Sequence, residues 1–212
     1  DAESLRLLAI NVAQQQGDLD AMPVHVGQLG IIRWLQGRES EVEPYYGAAR
    51  AEQPYDAVWS AVLARLWALT GRPDAARGAL DALGDLTAVR RDRNWLITMA
   101  TAAEAAALVQ YEPALAVLRE LLLPYSARLV PIGLGVACWG TVARPLALVC
   151  RSMGLASEAE HFLRAAIASC SATGAQPWIA QAQLDLADLL LDTDEASIEA
   201  HELTTSALST AR

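Results

Sequence analysis

The sequence contains no lysine, so all sixteen of its basic residues are arginine. P-loop proteins, Schiff-base enzymes and protein kinases each depend on a lysine amine that contacts a phosphate or the reacting carbon. The composition therefore excludes these three classes. Arginine without lysine, together with abundant alanine, is typical of a protein from a GC-rich bacterial genome.

Basic residues are also outnumbered, because 25 acidic residues give the chain a formal charge of −9. A nucleic-acid interface requires clustered cations, so we expect no direct nucleic-acid partner. The longest uncharged run, residues 129–143, is broken by proline and glycine and is too short to span a bilayer, so we expect no membrane partner. Since the chain has neither a signal peptide nor an initiator Met, we expect a cytoplasmic piece of a longer polypeptide.

Residues that bind metals or act as nucleophiles are few. The three cysteines have no CxxC spacing and predict unreactive buried thiols in a reducing cytoplasm. The three histidines lie far apart, so neither zinc nor another cofactor is expected. The serines lack a G-x-S-x-G context, and the sequence therefore predicts that the chain is not an enzyme.

Apolar residues recur at helical spacing along nearly the whole chain, and glycine or proline interrupts them at regular intervals. In a TPR-type helix pair, a glycine ends the first helix and a small residue five positions later lets the second helix pack closely. Gly71 and Ala76 follow this order, Gly154 and Ala159 repeat it, and Gly37 lies 34 residues before Gly71. We predict eleven helices: 2–16, 22–36, 39–50, 56–70, 73–84, 93–109, 112–127, 141–153, 156–173, 177–191 and 195–210.

The predicted fold is therefore all-α: a right-handed superhelical solenoid of TPR-like helix hairpins that forms a single domain over residues 1–212. Stacked hairpins share one continuous core that an isolated hairpin cannot form. The approximate repeat units are 1–21, 22–54, 55–91, 92–130, 141–176 and 177–212.

The stretch from Leu129 to Gly140 is predicted to be the longest irregular connection. Its glycines form a G-x-G pattern that superficially resembles a phosphate loop, but no lysine follows, so a turn between repeats is favoured. Pro145 is expected in the first turn of a helix that starts late.

Five segments carry a resemblance to a known family. From about Tyr55 onward the sequence resembles the C-terminal helical-repeat region of large bacterial signal-transduction ATPases, which include LuxR-type regulators and adenylate-cyclase-linked relatives. The matching segments are RDRNWLITMATAAEAAA (91–107), ELLLPYSARLV (120–130), GLGVACWGTVARPLALV (133–149), GLASEAEHFLRAAI (154–167) and TGAQPWIAQAQLDLADLL (173–190).

The resemblance implies a regulatory role, in which the repeats restrain an upstream ATPase, sense an inducer or recruit a partner protein. The implied partners are neighbouring domains of the same polypeptide, a partner protein and a small-molecule inducer. The catalytic parts of the family, namely the Walker motif, the cyclase carboxylates and the helix-turn-helix, are missing from this sequence.

The repeat register directs six side chains toward the concave inner groove that such an array would have. Arg144 and Arg151 lie seven residues apart and so share a helix face, where two guanidiniums are suited to clamp a carboxylate or phosphate. The candidate ligand or partner groove consists of Trp34, Arg65, Glu104, Arg144, Arg151 and Asp188.

Three function classes remain to be weighed. The leading hypothesis is a regulatory interaction scaffold that acts through population shift. The second is a small-molecule effector pocket, which predicts a deep, partly apolar cavity with convergent arginines. The third, an enzyme on an α-solenoid, would need clustered acid and base residues with displaced pKa values, and nothing in the spacing supports it.

Overall fold

A computed structural model describes residues 2–16, 21–133, 135–193 and 197–210. The described part of the chain is mostly helical, with eleven α-helices and one short antiparallel pair of strands. The elements in chain order are α1 (Ala2–Gln15), α2 (Ala21–Leu35), α3 (Glu43–Glu52), α4 (Ala57–Leu69), α5 (Pro73–Asp81), α6 (Trp95–Leu108), α7 (Glu112–Leu122), β1 (Leu129–Ile132), β2 (Ala137–Thr141), α8 (Ala143–Ser152), α9 (Ala156–Thr173), α10 (Gln176–Thr193) and α11 (Ile198–Thr210).

The helical prediction is confirmed, and most helix ends lie within about three residues of the predicted ones. One difference is the predicted helix 39–50, which begins as a 3-10 turn over Glu39–Val42 before α3 starts. Pro44 lies in the first turn of α3, where its missing N–H and fixed φ favour a helix start. Pro145 likewise lies in the first turn of α8. The predicted turn near Asp194 lies outside the described residues.

The prediction of an irregular connection over 129–140 was wrong, because this stretch contains the β1–β2 hairpin. Pro131 pairs with Cys138 in the antiparallel ladder, and a two-stranded sheet tolerates proline because both of its strands are edges. The ladder shifts register between Leu129 and Pro131, close to Gly140, which has φ +82°. The glycine and proline residues that suggested an irregular connection instead occur in the turn and the bulge.

Consecutive helices pack against each other in pairs, and alternate helices pack side by side. The pairs are α4 with α5, α6 with α7, α8 with α9 and α10 with α11. In addition, α6 packs against both α4 and α8, and α9 packs against α10. The hairpin lies between α7 and α8 in sequence and contacts α2, α6, α8 and α9.

Helix α6 forms the centre of the core, because all but two of its fourteen residues are buried. A helix that is apolar on every face is typical of a position with neighbours on all sides. Two alanines on each side of Glu104, namely Ala102, Ala103, Ala105 and Ala106, are completely buried, and their short side chains let α4 and α8 approach closely. Within the described residues, no helix is long and apolar enough to cross a membrane.

We predict that Ala103→Leu lowers the free energy of unfolding by about 1–3 kcal/mol, because the added methylenes have no space in a fully buried position. Ala116→Leu is the matched control, since Ala116 lies on the exposed face of α7 and its change should stay within about 0.5 kcal/mol. Urea unfolding monitored by circular dichroism measures both values. Equal effects of the two substitutions would contradict the packing described for α6.

Candidate functional site

A chain of alternating charges runs through the interior of the molecule. Arg65 on α4 donates from Nε to Oε2 of Glu104 on α6 at 2.6 Å, and from Nη1 to Oε1 of Glu39 at 2.7 Å. The side chains of Arg65 and Glu104 are only 7% and 3% exposed. A buried pair at this distance links the first helices of two successive helix pairs.

The chain continues from α6 to α8 and α10. Arg144 Nη1 lies 3.2 Å from Oε1 of Glu104, and its Nε donates to Oδ2 of Asp185 at 2.7 Å. We call Glu39, Arg65, Glu104, Arg144 and Asp185 the ion-pair network. Its members come from four α-helices and the 3-10 turn before α3, so it connects residues that are far apart in sequence.

The hairpin adds an aromatic residue to the network. Trp139 on β2 donates its indole N–H to Oε1 of Glu104 at 2.8 Å, and the Arg65 guanidinium carbon lies 4.4 Å from the centre of the Trp139 ring system. Glu104 therefore accepts from Arg65 and Trp139 and also pairs with Arg144. A cation over an indole face is attracted by the ring quadrupole, so Trp139 stabilises both Arg65 and Glu104.

Three tryptophans bring the beginning and the end of the helix series together. Trp34 of α2 stacks on Trp178 of α10 with ring centres 4.3 Å apart and planes 9° apart. Trp139 lies 5.7 Å from Trp34 and 5.4 Å from Trp178. A Cβ at Gly140 would lie 3.1 Å from the Trp178 ring, so glycine at this position permits the close approach.

Burial and ion pairing shift the pKa values of Glu104, Arg65 and Asp185. Burial alone would raise the pKa of Glu104, but Arg144 and Arg65 outweigh it and the pKa is lowered. Burial likewise opposes the charge of Arg65, yet the carboxylates of Glu104 and Glu39 raise its pKa. Burial raises the pKa of Asp185, and Arg144 offsets this only in part.

A cavity of about 90 Å³ lies beside the network. Its walls come from α2, α3, α4, the start of α6 and the hairpin. Most of the lining is aliphatic or aromatic, while Arg65 and Glu39 contribute polar atoms from the network. The lining is thus mostly apolar and includes the cations Arg65 and Arg93, while the binding of an effector stays a prediction.

The structure joins four of the six predicted groove residues, namely Trp34, Arg65, Glu104 and Arg144, through the contacts above. Arg151 lies farther out, where its Nη2 donates to Oδ2 of Asp192 on α10 at 2.5 Å. Asp188 is exposed, one turn after Asp185. The predicted anion clamp of Arg144 and Arg151 thus faces two carboxylates of the same chain, and binding of an external anion stays a prediction.

The sequence argument missed Glu39, Asp185 and Trp139. Asp185 had a detectable signal, because Asp185 and Asp192 repeat on α10 the seven-residue spacing of the two arginines on α8. Trp139 was hidden inside the stretch predicted to be irregular. No sequence signal identifies Glu39, whose position depends on the turn before α3.

The cysteines fit the prediction of unreactive thiols at two positions. Cys150 and Cys170 are buried and Cys138 is half-buried, and all three are free. Burial raises the pKa of both the Cys150 and the Cys170 thiol. A raised pKa keeps a thiol protonated and weakly nucleophilic.

We predict that Glu104→Gln destabilises the protein by about 3 kcal/mol or more, because two buried guanidiniums lose their shared carboxylate. Glu199→Gln is the control: Glu199 pairs with Arg164 at 2.8 Å, but both side chains are nearly half exposed, so its loss should cost less than about 1 kcal/mol. Chemical denaturation of both variants gives the comparison. If Glu104→Gln lowers the free energy of unfolding as little as Glu199→Gln does, the ion-pair network is not important for the stability of the fold.

We also predict that Asp185→Asn changes the pH dependence of stability. Because folding raises the pKa of Asp185, its ionisation opposes folding, and the wild type loses this part of its stability as pH rises through the folded-state pKa. The variant has no such loss. Its free energy of unfolding, measured from about pH 4 to about pH 7, should therefore rise more, or fall less, than that of the wild type. Parallel curves for the two proteins would contradict the raised pKa.

The charged groups of the interior are arranged as ion pairs. Among the residues that the structure describes, no group of three or more His, Cys, Asp or Glu side chains is placed to hold a metal ion. No protein-family model matches the chain, and no curated protein is significantly similar to it.

Proposed function

We propose that this chain is a non-catalytic interaction module, built of TPR-like helix pairs in a right-handed superhelix, that serves as the regulatory sensor region of a larger bacterial regulator. The five segments that resemble the helical-repeat region of signal-transduction ATPases support this role. In this proposal a small-molecule effector enters the interior cavity. Neighbouring domains of the same polypeptide, or a partner protein, then respond to the change.

The cavity is the observation that carries the proposal. It is concave, mostly apolar and formed by elements from separate parts of the chain, which are general properties of small-molecule sites. Its walls join residues of α2 and α4 to residues of the hairpin, such as Ile132 and Val136. A ligand that contacts all of these would stabilise their present arrangement relative to any arrangement in which they separate.

The state of Glu104 supports binding over catalysis by this carboxylate. A general base works best with a pKa near the operating pH, whereas the pKa of Glu104 is lowered and its oxygens face Arg65, Arg144 and Trp139. These groups are occupied with one another. The same contacts explain why charged residues occur in the core without any reaction to perform.

The wall shared by the cavity and the network provides a route for the signal. Trp139 lines the cavity and also contacts Trp34, Trp178 and Glu104. An effector that fixes Trp139 would therefore stabilise the contact between α2 and α10. We propose that a neighbouring domain responds to the stability of this contact between α2 and α10.

We predict that an effector identified by thermal-shift screening of a metabolite panel raises the unfolding temperature of the wild type but not of Val62→Phe. Val62 lines the cavity, and a phenyl ring in its place would occupy the space. Ligand at 100 times its dissociation constant contributes about 2.7 kcal/mol, which corresponds to a shift of roughly 5–10 °C for a chain of this size.

Val12→Phe is the matched control, because Val12 is 45% exposed on α1 and lies outside the cavity lining. This variant should keep the full shift. A compound that stabilises Val62→Phe as strongly as the wild type binds elsewhere, and that result would reject the cavity as the effector site.

A further inference from the structure

Apart from Tyr46, the polar side chains that line the cavity already have interaction partners within the protein. Arg65 contacts two carboxylates and the face of Trp139, so its charge is paired inside the protein. The charged side chains that line the cavity are Glu39, Arg65 and Arg93, and Arg93 also has an interaction within the protein. An anionic ligand would gain no free cation from this wall, and any charged ligand would lose its hydration among aliphatic side chains.

Tyr46 lines the cavity together with Gly30, against which its hydroxyl lies, and this hydroxyl has no hydrogen-bond partner within the described part of the chain. Its ring packs against Trp59 at 6.2 Å. A Cβ at Gly30 would lie 2.1 Å from the hydroxyl oxygen, so the side chain is held in a space that only glycine leaves open. Burial raises the pKa of Tyr46 to about 12, which keeps the hydroxyl a neutral donor and acceptor.

The apolar part of the cavity favours a ring. Val58, Val62 and Ile97 form aliphatic walls, while Trp59 and Trp139 present aromatic surfaces that prefer edge or offset contacts with another ring. A buried water needs about 10–15 Å³ of cavity volume. Since a water has one non-hydrogen atom, the cavity of about 90 Å³ has space for roughly six to nine non-hydrogen atoms of a ligand.

We infer that the cavity binds a neutral monocyclic or small bicyclic alcohol or phenol of this size, with its ring among the valines and its hydroxyl hydrogen-bonded to Tyr46. This inference rests on the proposed function, because it names the ligand class of the same site. Recognition depends on one neutral hydrogen bond within an apolar pocket. Ligands that carry a charge or lack the hydroxyl are discriminated against for different physical reasons.

Three probes of nearly equal size test the inference on the whole chain: phenol, toluene and benzoate. Titrations followed by ¹H–¹⁵N NMR should give phenol the highest affinity, toluene a weaker one by roughly 2- to 12-fold, and benzoate the weakest. In Tyr46→Phe the preference for phenol over toluene should disappear while toluene binding persists. Because phenol and toluene are first compared on the wild type, the test does not depend on the variant folding.

The outcomes distinguish failure of the inferred ligand class from failure of the cavity as an effector site. Equal affinity of phenol and toluene, or an unchanged preference in Tyr46→Phe, overturns the role of the hydroxyl and leaves the cavity as an effector site. Tighter binding of benzoate overturns the neutral ligand class. If none of the probes binds at millimolar concentration and the metabolite screen also finds no compound sensitive to Val62→Phe, the proposed function itself fails.

Discussion

The position of one carboxylate, that of Glu104, constrains the rest of this structure. It lies in the middle of a helix that is buried on nearly every face, where an unpaired charge would be prohibitively unfavourable. Partners must therefore arrive from α4, α8 and the hairpin at once, and Arg65, Arg144 and Trp139 do so. Buried ion pairs contribute little net stability compared with apolar packing, so their main effect here is to fix which helices meet and at what height along their axes.

The hairpin adds long-range contacts that an array of helix pairs would otherwise lack. A series of pairs in which each contacts only its neighbours leaves its inner surface open. In this chain β2 places Trp139 against Trp34 of α2 and Trp178 of α10, and the latter two rings stack on each other. The interior consequently becomes a set of long-range contacts with a cavity beside them. These contacts couple the stability of α2 to that of α10, whereas packing between neighbouring helix pairs alone would not.

Sequence periodicity was sufficient for the helices because each buries a face that recurs at 3.6 residues, and it also directed Arg65, Glu104 and Arg144 inward. It failed at the hairpin, where Pro131 and Gly140 suggested irregular backbone but serve an edge strand and a bulge. Periodicity also could not predict which charged side chains pair with each other. Periodicity gives the face on which a side chain lies, but the distance from Arg144 to Asp185 depends on how two helices cross.

In the proposed function, the size of the cavity limits the kind of regulation that a ligand could produce. A ligand of fewer than ten atoms with micromolar to millimolar affinity supplies about 4–8 kcal/mol of binding free energy. Only the part that differs between two arrangements shifts their populations. The equilibrium to be shifted must therefore be nearly balanced. An ion-pair network suits such a balance, since the Coulombic gain of buried ion pairs is in general largely offset by the cost of their desolvation. A core held together by apolar packing alone would leave a small ligand too little free energy to change the arrangement of the helices.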